Sequence, residues 1–339
     1  MKSQQTRIID IAKALNISKS TVSRALTGHP EVKSETRKLV LELAAQLEYQ
    51  PNLLSINLIK NKTNLIGMIV PEFTTSFFPQ VVKGAQKVAT KAGFNLIISQ
   101  SDENYETEVA NAKVMLANRV DGLLISLSKE TRNYDHLKVY QRKNIPIVFF
   151  NRVCQEMIVP KVVINDYNAS FKAVEHLIQT GKKKIAHLAG PDTLVVSRNR
   201  LNGYLDALRK YELPVDESLI LPYDVTYKKV KTCLNELLSL NNPPDALFTI
   251  NDSYAIEAIQ TVKAMGLKIP EDIAIVGFSN DYGSDFIEPG LTTVDQPKQL
   301  IGSTAMEMLL KLIDVNPADR KAVTVTLDTE LIIRKSSQQ

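Results

Sequence analysis

The segment from Ser18 to Leu26 holds the densest set of side chains able to recognise another molecule. With Val22, Ala25 and Leu26 on one face of a short helix, the other face presents Lys19, Ser20, Ser23, Arg24 and Thr27. A guanidinium such as that of Arg24 donates to the acceptor edge of guanine in a major groove, and hydroxyls bond phosphates. A solvated polar face would account for any one of these residues; the cluster beside a turn points to nucleic acid. Catalytic chemistry finds no comparable cluster. His29, His136, His176 and His187 fall on unrelated elements, Cys154 and Cys233 lack CxxC spacing, and neither GxGxxG nor GxxxxGK[ST] occurs. The expectation is a protein that is not an enzyme and that uses no cofactor or metal, with His176 and His187 as structural residues.

The elements that must position this face are legible in the apolar spacing. Ile8, Ile11, Ala12 and Leu15 repeat at helical intervals, as do Val40, Leu43, Ala44 and Leu47, so three short helices share a small core. Asn16 falls where the chain turns and tolerates a left-handed backbone, and Ser18 is placed to cap the next helix. This is the pattern of a helix-turn-helix. Past Thr63 the period changes. Apolar runs at 65–70, 95–99, 122–126, 147–150, 162–164, 184–188, 246–250 and 273–277 read as buried parallel strands, alternating with amphipathic helices. The irregular stretch 151–161 favours two α/β lobes over one large sheet.

The 339 residues exceed one ordinary core, and charge divides with the pattern. Residues 1–62 hold ten Lys and Arg against five Asp and Glu, which accounts for the whole basic excess of the chain. A basic head on a near-neutral body suits a nucleic-acid reader. Residues 1–15 hold no apolar run fit for a secretory signal, and no run of about 18 apolar residues suggests a membrane span. The expected location is the cytoplasm. A solute-binding protein for transport, sharing a two-lobed fold, would need an export signal in place of the basic head.

From Asp10-Ile11-Ala12 through Ser18 and Thr21-Val22-Ser23-Arg24 to Val32, Thr36-Arg37 and Tyr49-Gln50-Pro51-Asn52, the head resembles the lactose repressor/galactose repressor (LacI/GalR) family of transcription regulators. The resemblance implies a recognition helix from Ser18 to Leu26, with Lys19, Ser20 and Arg24 over base edges and Ser18, Thr21 and Ser23 near phosphates. Further DNA contacts are implied at Thr27 and His29, where Thr27 replaces a usual Asn, and at Asn52. It also implies a hinge helix in 51–62, whose Leu58 enters the minor groove as an apolar wedge. A helix of about two turns is marginal alone, so this segment needs a partner surface to form.

The body resembles the same family's effector domain, a fold of the periplasmic sugar-binding type, on Phe77-Phe78-Pro79, Val120-Asp121-Gly122, Gly190-Pro191, Arg198 to Tyr204, Asn251-Asp252 and Val276 to Asn280. The fold class expected is therefore a small all-α helix-turn-helix domain (1–50), a linker (51–62) and a two-lobed α/β domain (63–339) that binds an effector and dimerises. Ligands of open α/β sheets bind beyond the carboxyl ends of the strands. The effector-binding candidates are Phe77, Phe78, Asn151, Asn165, Asp166, Arg200, Asn251 and Ser279, with Arg200 forking onto ligand oxygens. Ser279 stands where many relatives carry an acid, so a carboxylate contact is expected to be missing there. The partners implied are a pseudo-palindromic double-stranded DNA operator, a second copy of the chain, and a small-molecule effector. That effector is a sugar or sugar derivative, or alternatively a nucleobase. The absence of heptads after Arg334 predicts dimers without a tetramer-forming tail.

Overall fold

The computed structural model describes residues 6–49, 62–221 and 227–338, and the chain divides into two compact units between Thr63 and Asn64. In the first unit, α1 (Ile8–Ala14), α2 (Lys19–Leu26) and α3 (Ser34–Gln46) surround Ile11, Ala12, Val22, Ala25, Val32, Val40 and Ala44. The turn between α1 and α2 is fixed by backbone chemistry. Asn16 takes φ 53°, its N–H donates to the Lys13 carbonyl, and the Ile17 N–H reaches back to the Ala12 carbonyl. That pair of bonds is a Schellman ending, which needs a left-handed residue at the position Asn16 occupies. Ser18 Oγ then accepts from the Thr21 N–H at 3.0 Å and caps α2. The hinge expectation, with Asn52 and Leu58, falls outside the described residues.

The second unit holds two six-stranded sheets. The first lobe is built from β1 (Leu65–Val70), α4 (Phe77–Lys91), β2 (Asn95–Gln100), α5 (Tyr105–Ala117), β3 (Gly122–Ile125), α6 (Asp135–Arg142), β4 (Ile147–Phe150) and β5 (Lys161–Ile164). The chain then enters the second lobe through α7 (Asp166–Gln179), β6 (Ile185–Leu188), α8 (Val195–Lys210), β7 (Ile220–Leu221), α9 (Tyr227–Leu238), β8 (Ala246–Thr249), α10 (Asp252–Ala264), β9 (Ala274–Ser279) and β10 (Thr292–Asp295). It returns through α11 (Lys298–Ile313) and β11 (Thr324–Leu327), then ends in the second sheet as β12 (Glu330–Ile332). The strand orders are β11-β5-β4-β3-β1-β2 and β12-β10-β9-β8-β6-β7. All pairings are parallel except that of β10 with β12.

Two lobes were expected, but the division lies elsewhere than 151–161. Residues 151–160 join β4 to β5 inside the first sheet, and the chain changes sheet after Ile164. Helices pack closely within each lobe. A Cβ on Gly302 of α11 would lie 1.8 Å from the Val81 carbonyl oxygen of α4, so only glycine permits that approach. In the second lobe, a Cβ on Gly203 would lie 2.3 Å from the Tyr167 carbonyl oxygen, which brings α8 against the start of α7.

Candidate DNA-reading face and effector cavity

The head exposes the face that the sequence suggested. Val22 and Ala25 are buried, while Ser18, Lys19, Ser20, Ser23, Arg24, Thr27 and His29 are exposed and Thr21 is half-buried. Ser18 Oγ also lies 2.7 Å from Ser20 Oγ and 2.8 Å from Thr21 Oγ1, so the three hydroxyls order one another at the helix start. Thr27 donates its hydroxyl to the carbonyls of Ser23 (3.0 Å) and Arg24 (3.3 Å). Sequence reasoning missed Glu31. Its carboxylate lies 3.5 Å from Arg24 Nη1 and 3.7 Å from His29 Nδ1. Both partners of the Arg24 pair are more than half exposed, and so open a pairing holds Arg24 weakly. A DNA phosphate or base edge can therefore take the guanidinium from it.

In the body, one cavity opens between the lobes beyond the carboxyl ends of their strands. Of the eight candidates, Phe77, Phe78, Asn151, Arg200, Asn251 and Ser279 line it. Phe77 and Phe78 begin α4 and meet edge-to-face, with ring centroids 5.0 Å apart. Asn151 follows β4 in a left-handed conformation (φ 56°), and Asn251 caps α10 by accepting from the Tyr254 N–H at 3.1 Å, which leaves its amide NH₂ for other partners. Ser279, ending β9, is buried at φ 125°, a region that residues with side chains rarely adopt. Strain of this kind concentrates at ligand sites.

Arg200 is buried and held from three directions. Its Nε donates to Asp166 Oδ1 at 2.8 Å, Nη2 lies 2.7 Å from the same oxygen, and Nη1 donates to the Ile250 carbonyl at 2.7 Å. Its Cζ stacks 3.7 Å from the centroid of Phe278. Burial pulls the Arg200 guanidinium down and pushes the Asp166 carboxyl up, and each charge opposes the shift of the other. The guanidinium thus donates to Asp166 and to the Ile250 carbonyl, and it has five N–H groups in all.

Asp166 and Asn165 do not line the cavity. Asp166 acts behind Arg200, and Asn165 is exposed, its side chain capping α7 by accepting from the Asn168 N–H at 3.0 Å. Both sit where the chain crosses between lobes, a position that favours a cap and a counter-ion over a ligand contact.

The lining also contains Glu72, Thr75, Arg152, Ser197, Asp281 and Gln296, which the sequence reading did not single out. Arg152 pairs with Glu103 at 2.7 Å, and this guanidinium holds the Glu103 carboxyl below its ordinary range against the opposing effect of burial. The Ser279 hydroxyl accepts from Gln296 Nε2 at 2.9 Å. Two residues after Ser279, Asp281 is buried and lines the same cavity. Ser76 Oγ of the first lobe donates to Asp281 Oδ1 at 2.7 Å, and Thr193 Oγ1 of the second donates to the Lys129 carbonyl at 3.0 Å. These bonds bridge the lobes. Among the described residues, no group of His, Cys, Asp and Glu is arranged to hold a metal ion, and no helix is long and apolar enough to cross a membrane.

The family of "Bacterial regulatory proteins, lacI family" matches residues 7–52, and that of "Periplasmic binding proteins and sugar binding domain of LacI family" matches residues 63–335. The chain belongs to the LacI family. Its LacI-family relatives match end to end. Catabolite control protein A of Priestia megaterium is 33% identical over 93% of this chain and 95% of that protein. The HTH-type transcriptional repressor CytR of Escherichia coli K12 is 33% identical over 97% of this chain and 95% of its own length. Among solved structures, the lac repressor dimer bound to operator and the anti-inducer ONPF superposes with a TM-score of 0.82. It is 25% identical and covers 99% of this chain and 100% of that one. A complex of the transcriptional regulator CelR with cellobiose gives 0.74 at 27% identity, covering 98% and 100%. This LacI-family chain is a sequence-specific DNA-binding transcription regulator, with a helix-turn-helix head and an effector-binding body.

Proposed function

We propose that this LacI-family chain is a cytoplasmic, non-catalytic repressor. It grips a pseudo-palindromic operator as a homodimer and is controlled by a sugar or sugar derivative bound between its lobes. The observation that carries the reading is Arg200, a buried guanidinium held by Asp166 and Ile250 in the lining of a cavity shared by both lobes. A planar fork with paired donors suits vicinal hydroxyl oxygens. Phe77 and Phe78 supply apolar wall, while Asn151, Asn251 and Ser279 supply polar contacts. Cellobiose in the CelR complex gives the sugar reading its precedent. Ligand drawing the lobes together shifts the body between two arrangements with different operator affinity, and Leu58 and Asn52 contact DNA from the linker.

Linkage supplies the test. A sugar that changes operator affinity must find its own affinity changed by the same factor when operator is bound, about 5- to 150-fold for typical couplings. Calorimetric titration of a sugar and nucleobase panel into the protein, with and without its operator, measures both. Equal factors are expected. Ligand binding that is indifferent to operator would contradict allosteric control, and a nucleobase hit would replace the sugar.

A further inference from the structure

We propose that the cavity accepts an uncharged or amine-bearing sugar and rejects sugar phosphates and sugar acids. This rests on the effector reading above. Charge around the cavity is uneven once pairs are removed. Arg200 is neutralised by Asp166, and Arg152 by Glu103 at 2.7 Å. Glu72 and Asp281 remain, one from each lobe, and neither forms an ion pair among the described residues. The ammonium of Lys298 is spent on the carbonyls of Ser279 and Asn280 and lies 3.5 Å from Asp295. Among the lining residues, Glu72 and Asp281 are thus the charged groups without an ion pair, beside the paired Arg152 and Arg200.

Hydrogen-bond accounting points the same way. Gln296 is 3% exposed and donates to Ser279, and its Oε1 has no partner among the described residues. Asp281 Oδ1 accepts from Ser76, while Oδ2 has no hydrogen bond among the described residues. Gln296 Oε1 is thus a buried acceptor left unpaired among the described residues, which is unfavourable until a donor from the ligand reaches it. Hydroxyl and ammonium groups provide such donors. Phosphate and carboxylate groups have only acceptors to offer and add a like charge beside Glu72 and Asp281. Burial pushes the Asp281 carboxyl up, opposed by Ser76 and Lys298, with the nearby Glu72 adding to the rise. Arg200 and Asn251, from the same lobe as Asp281, take the ligand's acceptor oxygens.

The experiment is a calorimetric titration of the full-length protein with glucose, galactose, mannose and cellobiose. Each is compared with its amino, 6-phosphate and uronate form, and the titrations are repeated on Glu72→Gln and Asp281→Asn. In the unaltered protein a neutral or amino form binds, and its phosphate and uronate counterparts bind about a hundredfold more weakly. Each substitution narrows that gap by about tenfold, and Glu72→Gln preserves the reading should Asp281→Asn not fold. A phosphate or uronate that binds as tightly as its neutral parent overturns the charge assignment while leaving the effector reading intact. Binding by no member of the panel overturns the sugar effector and this inference with it.

Discussion

Asp166, Ile250 and Phe278 hold the Arg200 guanidinium from three sides. Removing either charge strands the other in a buried site, which costs about 3–5 kcal/mol. Arg200→Met should lower unfolding stability by that order, and Arg200→Met/Asp166→Leu should recover most of it. Urea titration checks this, and a double variant no more stable than Arg200→Met would contradict the pairing. His187 makes a second residue-scale prediction. It is fully buried, stacked on Phe248 and Tyr204, with Nδ1 3.0 Å from the Phe248 carbonyl. Burial holds its pKa down at about 4, against 6.5 ordinarily. The unfolded chain therefore binds a proton from 6.5 downward that the folded chain refuses until about 4. Stability is full above pH 6.5 and declines as pH falls to 4, by about 3 kcal/mol in all. His187→Phe should flatten that slope in urea midpoints measured between pH 4 and 7. Arg200 and Asp166 were both singled out from the sequence, though not as a pair, whereas the cavity residues Asp281 and Gln296 were not. Spacing along the chain does not reveal which carboxylate the fold turns inward.

At the scale of elements, local chemistry carries most of the head. The left-handed Asn16 and the cap at Ser18 were both expected from residue type, because each answers a requirement of a helix end that is local in sequence. Ser18→Ala should destabilise the head by about 1 kcal/mol, visible as a lower first transition in thermal unfolding, and should weaken operator binding as well. An unchanged transition would show that the hydroxyl is not the cap in solution. Eight strands were also legible as apolar runs, within a residue or two at each end, although β2, at a sheet edge, has no buried residue. Four more were not. β7 has two residues, and β11 and β12 lie at sheet edges where alternate residues face solvent. β10 reads Thr-Thr-Val-Asp, with its threonines buried by hydrogen bonding: Thr293 donates to Asp252 and Thr292 to the Arg334 carbonyl. Such strands are made by their neighbours and leave only a weak trace in hydropathy.

At the scale of the whole molecule, the LacI-family chain couples two chemistries. A small basic unit presents Lys19, Ser20 and Arg24 on an ordered helix, and a larger unit encloses a polar cavity between lobes that the chain joins by three crossings. The division into units was plain from the change of hydrophobic period near Thr63. The point of crossing between lobes was less plain, because the chain passes from β5 into α7 without any break in its pattern. The most direct test of the central claim is a fluorescence-anisotropy titration of the purified protein on a pool of palindromic duplexes. It is made at two salt concentrations, with and without the sugar found by calorimetry. Selective binding to one palindrome, tighter by about 10³-fold or more than to unrelated DNA and shifted by the sugar, is the expected result. Weak, salt-sensitive binding to every duplex, unmoved by any sugar, would contradict it.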